Sequence, residues 1–212
     1  MKPSAIGVFS KAPVPGKTKT RLARVIGDEA AAELHVAFLW DTLALAAQVT
    51  DCVLFSAGDH DHRVLREVAQ HFGHSQVPQE GEDLGLRMMN AIDVLLKDHT
   101  MAVLIGSDAP SLPPRTLEAA CARALSFGPS SDGGFYLVGA RSRPDFKDIA
   151  WSTPHTLADT LAQNPGAELL EPWFDVDEWD DLRTLQLQLQ LQPDAAPKTS
   201  AWLAEHKMLM CT

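Results

Sequence analysis

The sequence predicts an α/β protein: a three-layer α/β/α sandwich around a mostly parallel mixed sheet, with one late antiparallel strand. Short apolar runs alternate with helix-like amphipathic stretches as far as Pro110, the order that builds an open α/β sheet. The chain has 212 residues, 45% of them hydrophobic and 22% charged, enough for one domain with a substantial core. Polar loops rich in Gly and Pro follow several apolar runs, where such sheets carry ligands. Residues 1–212 read as a single domain, with 193–212 as a C-terminal tail that Trp202 and Leu203 anchor.

Ser4–Phe9 is the first buried strand. It runs into KAPVPGKTKTRLAR, Lys11 to Arg24. Residues 1–24 hold six Lys and Arg and no acid, while the whole chain has a formal net charge of −10, so the remainder carries −16. A concentrated cationic loop on an acidic protein suits a small polyanion. Pro13, Pro15 and Gly16 make a stiff turn able to direct backbone N–H groups at phosphate oxygens. A solvated basic surface loop is the alternative reading. PGKT matches the end of a Walker A loop, but Lys11 stands where its first Gly is required and two prolines stiffen the interior, which argues against a P-loop.

Asp28 is a candidate N-cap for a long helix, Glu29 to Gln48, with Leu34, Phe38 and Leu45 on its apolar face. Asp51–Ser56 is a second buried strand. Asp61 is placed to cap a helix through Phe72; His60 and His62 nearby are better read as loop and cap residues than as metal ligands. Gln76–Pro78 is a short strand. Gln79–Leu96 begins polar and continues with Leu84, Met88, Ile92 and Leu95 at helical spacing, the Met pair reading as core. Gly85 and Arg87 lie where a strand end feeds this helix.

Met101–Ile105 is a strand leading to Gly106-Ser107-Asp108. A carboxylate just past a central strand is where a sheet crevice places a metal ligand. The alternative is that Asp108 caps the next helix, Pro113 to Leu125, although the intervening prolines displace that start. Asp132-Gly133-Gly134 form a tight loop before the strand Phe135–Gly139. Trp151-Ser152-Thr153 precede a helix, Pro154 to Gln163. Asp175 and Asp177, two apart in an extended segment, point to opposite faces. The last segment, Glu178 to Gln192, contains LQLQLQLQ; alternation formally favours a strand, but Leu182, Leu185 and Leu189 fit a helical face, and helix is chosen.

The net charge argues against non-specific binding to nucleic acid or acidic membranes. No apolar run is read as long enough to span a bilayer, and the N-terminus lacks a signal-peptide core, so no membrane insertion is expected. Cys52, Cys121 and Cys211 are odd in number and scattered, and a reducing cytoplasm is the default location.

The ordered set FSKAPVPGKTKTRLA, FLWDT, QEGEDLGLRMMNA, IGSDAP, GPSSDGGFYLVG, WST and DVDEWDDL resembles the GT-A-type nucleotide-diphospho-sugar transferase superfamily. Within it, the chain is similar to a bacterial group of glycosyltransferase-like proteins related to an arsenosugar-biosynthesis glycosyltransferase. The likeness runs from about residue 6 to 185. Nucleotidyltransferases of the same superfamily, including the guanylyltransferase that activates phospholactate, carry similar loops.

The resemblance implies roles. Lys17 and Arg21, with Lys11 and Gly16 in the same loop, would meet nucleotide phosphates. Gly85 and Arg87 would lie near base or ribose. Asp108, in the place of the superfamily's DxD-type aspartate, would bind Mg²⁺ or Mn²⁺, with Asp177 and Asp175 supplying further carboxylate. Lys17, Arg21 and Asp108 would form the catalytic set. Asp132, Gly133 and Gly134 would line a sugar or acceptor pocket. The implied partners are a nucleotide or nucleotide-sugar and a small-molecule acceptor, with oligomeric state left open. Transfer from a nucleotide-diphospho-sugar, nucleotidyl transfer to a phosphorylated metabolite, and a non-catalytic nucleotide-binding relative all remain open. One departure stands out: only Leu125-Ser126-Phe127 precedes Gly128, where the family has an apolar strand. Either the preceding helix ends early or that strand is stunted, which would compromise the Asp132-Gly133-Gly134 pocket.

Overall fold

The computed structural model describes residues 2–207. Seven strands form one sheet: β1 (Ala5–Lys11), β2 (Asp51–Ala57), β3 (Ser75–Pro78), β4 (Ala102–Gly106), β5 (Leu125–Pro129), β6 (Phe135–Ala140) and β7 (Glu168–Leu169), in the spatial order β3-β2-β1-β4-β6-β5-β7. β6 runs antiparallel to both β4 and β5; every other pair is parallel. The late antiparallel strand is therefore β6. The helices are α1 (Thr20–Ile26), α2 (Asp28–Val49), α3 (Arg63–Phe72), α4 (Leu84–Leu96), α5 (Pro114–Ala122), α6 (Thr156–Gln163), α7 (Trp179–Leu191) and α8 (Pro197–Glu205).

Strand alternation divides the core into two layers. Ile6, Val8, Leu54, Val103 and Ile105 face Leu39 and Leu43 of α2, Leu65 of α3 and Leu117 of α5. Ala5, Phe55, Leu104, Phe127 and Val138 face Met88, Ile92 and Leu95 of α4, with Leu157 and Leu161 of α6 beside them. A third cluster lies on the outer side of α2. There Leu34 and Phe38 meet Leu22 of α1, Leu182, Leu185 and Leu189 of α7, and Trp202 and Leu203 of α8.

Covered on both sides, α2 is apolar nearly all round. Contrary to the expectation from sequence, its 22 residues are long and apolar enough to cross a membrane by length and composition alone; 67% of its most apolar window is buried inside the fold, the environment of a core helix. Asp41, from the FLWDT motif on α2, accepts hydrogen bonds from the backbone N–H groups of Lys198 (3.0 Å) and Thr199 (2.8 Å) and from Thr199 Oγ1 (2.7 Å). It thereby caps the first turn of α8 and fixes this helix to α2.

Several boundaries differ from those expected. Asp28 is the first residue of α2, and Gly27, at φ 89°, takes the N-cap. His62, not Asp61, precedes α3. The seven-residue α1 was not anticipated. The helix before Gly128 ends at Ala122, three residues sooner than predicted, and Arg123 is already extended. That early stop frees Leu125–Pro129 to pair with β6 as a five-residue strand, so the connection is short and β5 is intact. LQLQLQLQ is helical: Leu182, Leu185 and Leu189 are buried, while the alternate Leu187 and Leu191 are 64% and 85% exposed. A capping box between Glu178 and Asp181 starts that helix.

Candidate active site

The strand sequence reverses direction between β1 and β4, so the loops leaving their carboxyl ends diverge and open a crevice. The Ser107 N–H donates to Phe9 O at 3.1 Å across this point, which sets Asp108 level with the end of β1. The resulting cleft has a volume of about 700 Å³. The basic loop and the carboxylates Asp108, Asp175 and Asp177 all line it.

Lys11, Lys17 and Arg21 are exposed and line the cleft. Gly16, at φ 75°, turns the chain so that Lys17 N–H reaches Val14 O at 3.0 Å, but it is not itself part of the lining. Arg21 is lightly tethered to Glu178 at 3.3 Å, both side chains being 64% exposed.

Lys19, from the same loop, behaves differently. Its backbone is left-handed (φ 47°, ψ 42°) just before α1, a conformation that side-chain-bearing residues adopt at a cost. Its side chain turns inward and is 3% exposed. Nζ lies 2.8 Å from Asp108 Oδ1, 2.9 Å from Asp177 Oδ1 and 2.7 Å from Val176 O. It also sits 5.6 Å from the Phe38 ring centroid. Burial disfavours its charge, but Asp108 and Asp177 together outweigh that, and its pKa is raised. Sequence reading did not single out Lys19, because nothing in a run of five cations marks which one turns inward.

Asp108 has its Oδ1 sealed from solvent, although 37% of the side chain is open. Burial alone would raise its pKa; Lys19 and then His35 oppose this, and the carboxyl is held below its ordinary value. His35 of α2 is buried with Nδ1 3.8 Å from that same oxygen, and its Nε2 is 3.2 Å from both Ser10 Oγ and Lys11 O. Burial pushes the His35 pKa down, with Asp108 pulling the other way. His35 is a second residue missed from sequence. It lies on what reads as the apolar interior of a helix.

Val176 N–H donates to Asp108 O at 2.8 Å, which brings the extended 175–177 segment alongside the β4 loop. Asp175, Asp177 and Asp108 all line the cleft. Asp175 has no cation paired with it among the described residues. Burial first, then Asp108 and Asp177, pushes its pKa up from 3.8 to about 7. Among the described residues, no group of three or more His, Cys, Asp or Glu stands ready-made to hold a metal ion. The chemistry of Asp108 and Asp177 nevertheless fits Mg²⁺ or Mn²⁺: two carboxylates already gathered around one positive charge, that of Lys19, with a third carboxyl, Asp175, nearby.

Asp132 and Gly134 line the cleft from the β5–β6 turn, where Asp132 accepts from Ser130 Oγ and from the Gly134 N–H at 2.9 Å. Burial would raise its pKa, but these hydrogen bonds hold it below the ordinary value. Gly133 does not face the cleft. It has φ 86°, and a Cβ there would stand 2.1 Å from Pro154 O, so it is required where the turn packs on the loop before α6. Gly85 is also away from the cleft surface, beneath Trp151, whose ring a Cβ would meet at 2.6 Å. Arg87 does line the cleft, with Nε bonded to Gly81 O at 3.0 Å. Leu84, Met88, Phe135 and Trp151 give that end of the cleft an apolar character.

A family model for uncharacterized proteins conserved in bacteria (DUF2064) matches residues 42–153. No curated protein matches. Among solved structures, a provisionally assigned nucleotide-diphospho-sugar transferase from Desulfovibrio desulfuricans G20 is 30% identical, with a TM-score of 0.89 over 99% of this chain and 97% of that one. A nucleotidyl transferase from Methanothermobacter thermautotroptrophicus is 13% identical, with a TM-score of 0.60 over 89% and 98%. The inositol-1-phosphate CTP transferase of T. maritima is 16% identical, with a TM-score of 0.56 over 95% and 96%. The last two likenesses concern the fold alone.

Proposed function

The chain belongs to the DUF2064 family of proteins conserved in bacteria and has the nucleotide-diphospho-sugar transferase fold; from this premise we propose that it is a metal-dependent transferase acting on a nucleotide-linked small-molecule substrate. The observation that carries the reading is the gathering of both charges in the switch-point cleft. Exposed Lys11, Lys17 and Arg21 line the same cavity of about 700 Å³ as Asp108, Asp175 and Asp177. The size suits a nucleotide diphosphate with an attached group.

In this reading Lys17 and Arg21 grip the phosphates, Arg21 by its planar fork and Lys17 as a mobile point charge. Departure of a nucleoside diphosphate builds negative charge on oxygen, and preorganised cations opposite that oxygen lower the barrier. Asp108 and Asp177, with Asp175 near them, would hold the Mg²⁺ or Mn²⁺, whose chemistry when bound is to neutralise the same developing charge. Asp132, kept ionised by its hydrogen bonds, is suited to accept from a sugar or acceptor hydroxyl. The apolar end around Trp151 would pack against a ring face and exclude water. Unpaired Cys52 and Cys121 are consistent with a cytoplasmic setting.

Nucleotidyl transfer from an NTP is the second reading, because three exposed cations suit a triphosphate as well as a diphosphate. A thermal-shift screen of nucleotides and NDP-sugars, with and without Mn²⁺, separates them. Native-state binding raises stability by about 2.7 kcal/mol at a hundredfold excess over Kd. A metal-dependent shift with one NDP-sugar and its NDP is the expected result. A shift confined to one NTP would transfer the assignment to nucleotidyl transfer, and no shift with any nucleotide would sink both.

A further inference from the structure

We propose that Lys19 is an internal counter-ion that occupies the place of a divalent cation between Asp108 and Asp177, and that it leaves for the substrate's phosphates when metal and polyphosphate enter together. The proposal rests on the reading of the cleft as a metal–polyphosphate site, and it adds that the two ligands are admitted jointly.

The geometry behind it is specific. One ammonium contacts an oxygen of each carboxylate, at 2.8 and 2.9 Å, and caps its third donor on Val176 O at 2.7 Å. Its side chain is 3% exposed, whereas Asp108 and Asp177 are 37% and 49% exposed. The cation is sealed, as is the Asp108 Oδ1 that it holds, while part of each carboxylate side chain is open to the cleft. A Mg²⁺ ion on the same oxygens would sit at about 2.1 Å from them. An ammonium cannot keep its present contacts beside such an ion, since both compete for one pair of oxygens and like charges at that range repel strongly.

Lys19 also has somewhere to go. Its nearest loop neighbours Lys17, Thr18, Thr20 and Arg21 line the same cleft, as does Lys19 itself. A four-carbon stem lets the ammonium turn from the carboxylates to the cleft without moving α1. Phosphate oxygens provide the new partner, and the metal provides the replacement charge for Asp108 and Asp177. Either ligand alone leaves one half of the exchange uncompensated: metal alone strands the ammonium, and polyphosphate alone strands two carboxylates. The consequence is positive coupling between metal and polyphosphate, which is reciprocal by linkage.

The test is Mn²⁺ binding followed by the loss of the free-ion EPR signal, with pyrophosphate as the polyphosphate probe and a protein-free titration as reference. Wild-type protein is expected to bind Mn²⁺ weakly alone and markedly more tightly with pyrophosphate. Lys19→Gln and Lys19→Met are expected to bind Mn²⁺ alone at least about tenfold more tightly than wild type, since a competing charge at contact distance has been removed. Adding Asp108→Asn to Lys19→Gln is expected to abolish the gain. Wild-type protein binding Mn²⁺ as tightly without pyrophosphate as with it would overturn the proposal, and this arm needs no variant to fold. Folded Lys19 variants that bind Mn²⁺ no better than wild type would overturn it too, while leaving the metal–polyphosphate reading standing if wild type still responds to pyrophosphate. No Mn²⁺ binding by any of these proteins, with or without pyrophosphate, would remove the functional reading and the counter-ion proposal together.

Discussion

Lys17 and Lys19 are two residues apart in one loop and occupy opposite environments. Lys17 is exposed on the rim of the cleft, and Lys19 is 3% exposed at its base, between two carboxylates. The outer part of the loop is a surface on which charge is free to meet a ligand. The inner part is already satisfied, and its charge is structural until something replaces it. Composition identifies the sign of the loop's field, but the division of labour within it comes from the left-handed turn at Lys19, which sends one side chain inward and leaves its neighbours outside.

The sharpest way to break this comparison is to remove each cation in turn. Lys19→Met leaves two carboxylates around a buried gap. The expected loss of unfolding free energy is about 2–3 kcal/mol, less than for a fully enclosed pair because both acids are partly exposed. Lys17→Met should change stability by less than about 0.5 kcal/mol. Urea denaturation of both variants decides it, and equal losses would erase the distinction. The order reverses for ligand binding. Lys17→Ala or Arg21→Ala should weaken binding of the nucleotide found in the thermal-shift screen by about tenfold each, as expected for a charge-assisted phosphate contact. Isothermal titration at two salt concentrations checks this, since the exposed contacts should also weaken with ionic strength.

A smaller effect sharpens the account of the acidic side. Folded Asp175 keeps its proton up to about pH 7, whereas the unfolded chain releases it near 3.8. Between those values the native state binds more protons, so this residue makes stability fall as pH rises, with no further change above the upper value. Asp175→Asn should therefore be more stable than wild type at about pH 8, and the difference should shrink toward about pH 4. Thermal melts across that range test it; a difference that grew on acidification would mean that Asp175 is held ionised. The smallest expected effect is at the rim, where Glu178→Gln removes a partner of Arg21 that is 64% exposed. Its stability change should be within about 0.5 kcal/mol by the same melts.

Much of the fold was legible because its signals are local. Apolar runs and helical spacing located five of the seven strands and the helices corresponding to α2–α7, and Leu182, Leu185 and Leu189 resolved the LQLQLQLQ ambiguity correctly. The two-residue β7 is too short to carry a pattern, and α1 hides within a run dominated by charge. The end of α5 was misjudged because Ala122 to Leu125 continue a helical pattern locally; pairing of β5 with β6 takes them out of it. At the site, the exposed cations and Asp108 stand out by position after strand ends, and Asp175 and Asp177 as a close acidic pair. The resemblance sets Gly85 near base or ribose and Gly133 in a sugar or acceptor pocket, yet the close approach at each is to the protein's own Trp151 and Pro154. Lys19 and His35 were invisible for a different reason: their partners lie 158 and 73 residues away in sequence, on Asp177 and Asp108.

The bond from the Val176 N–H to Asp108 O has a mechanical consequence. With Trp173 N–H on Pro129 O at 3.0 Å and Leu170 N–H on Phe127 O at 2.9 Å, it stitches the 170–176 segment to β5 and the β4 loop by main-chain links whose donors only a proline replacement removes. The acidic side of the cleft is thus an anvil, rigid with the sheet. The backbone that carries the carboxylates is held to the sheet, and a ligand in the cleft meets it as a fixed wall.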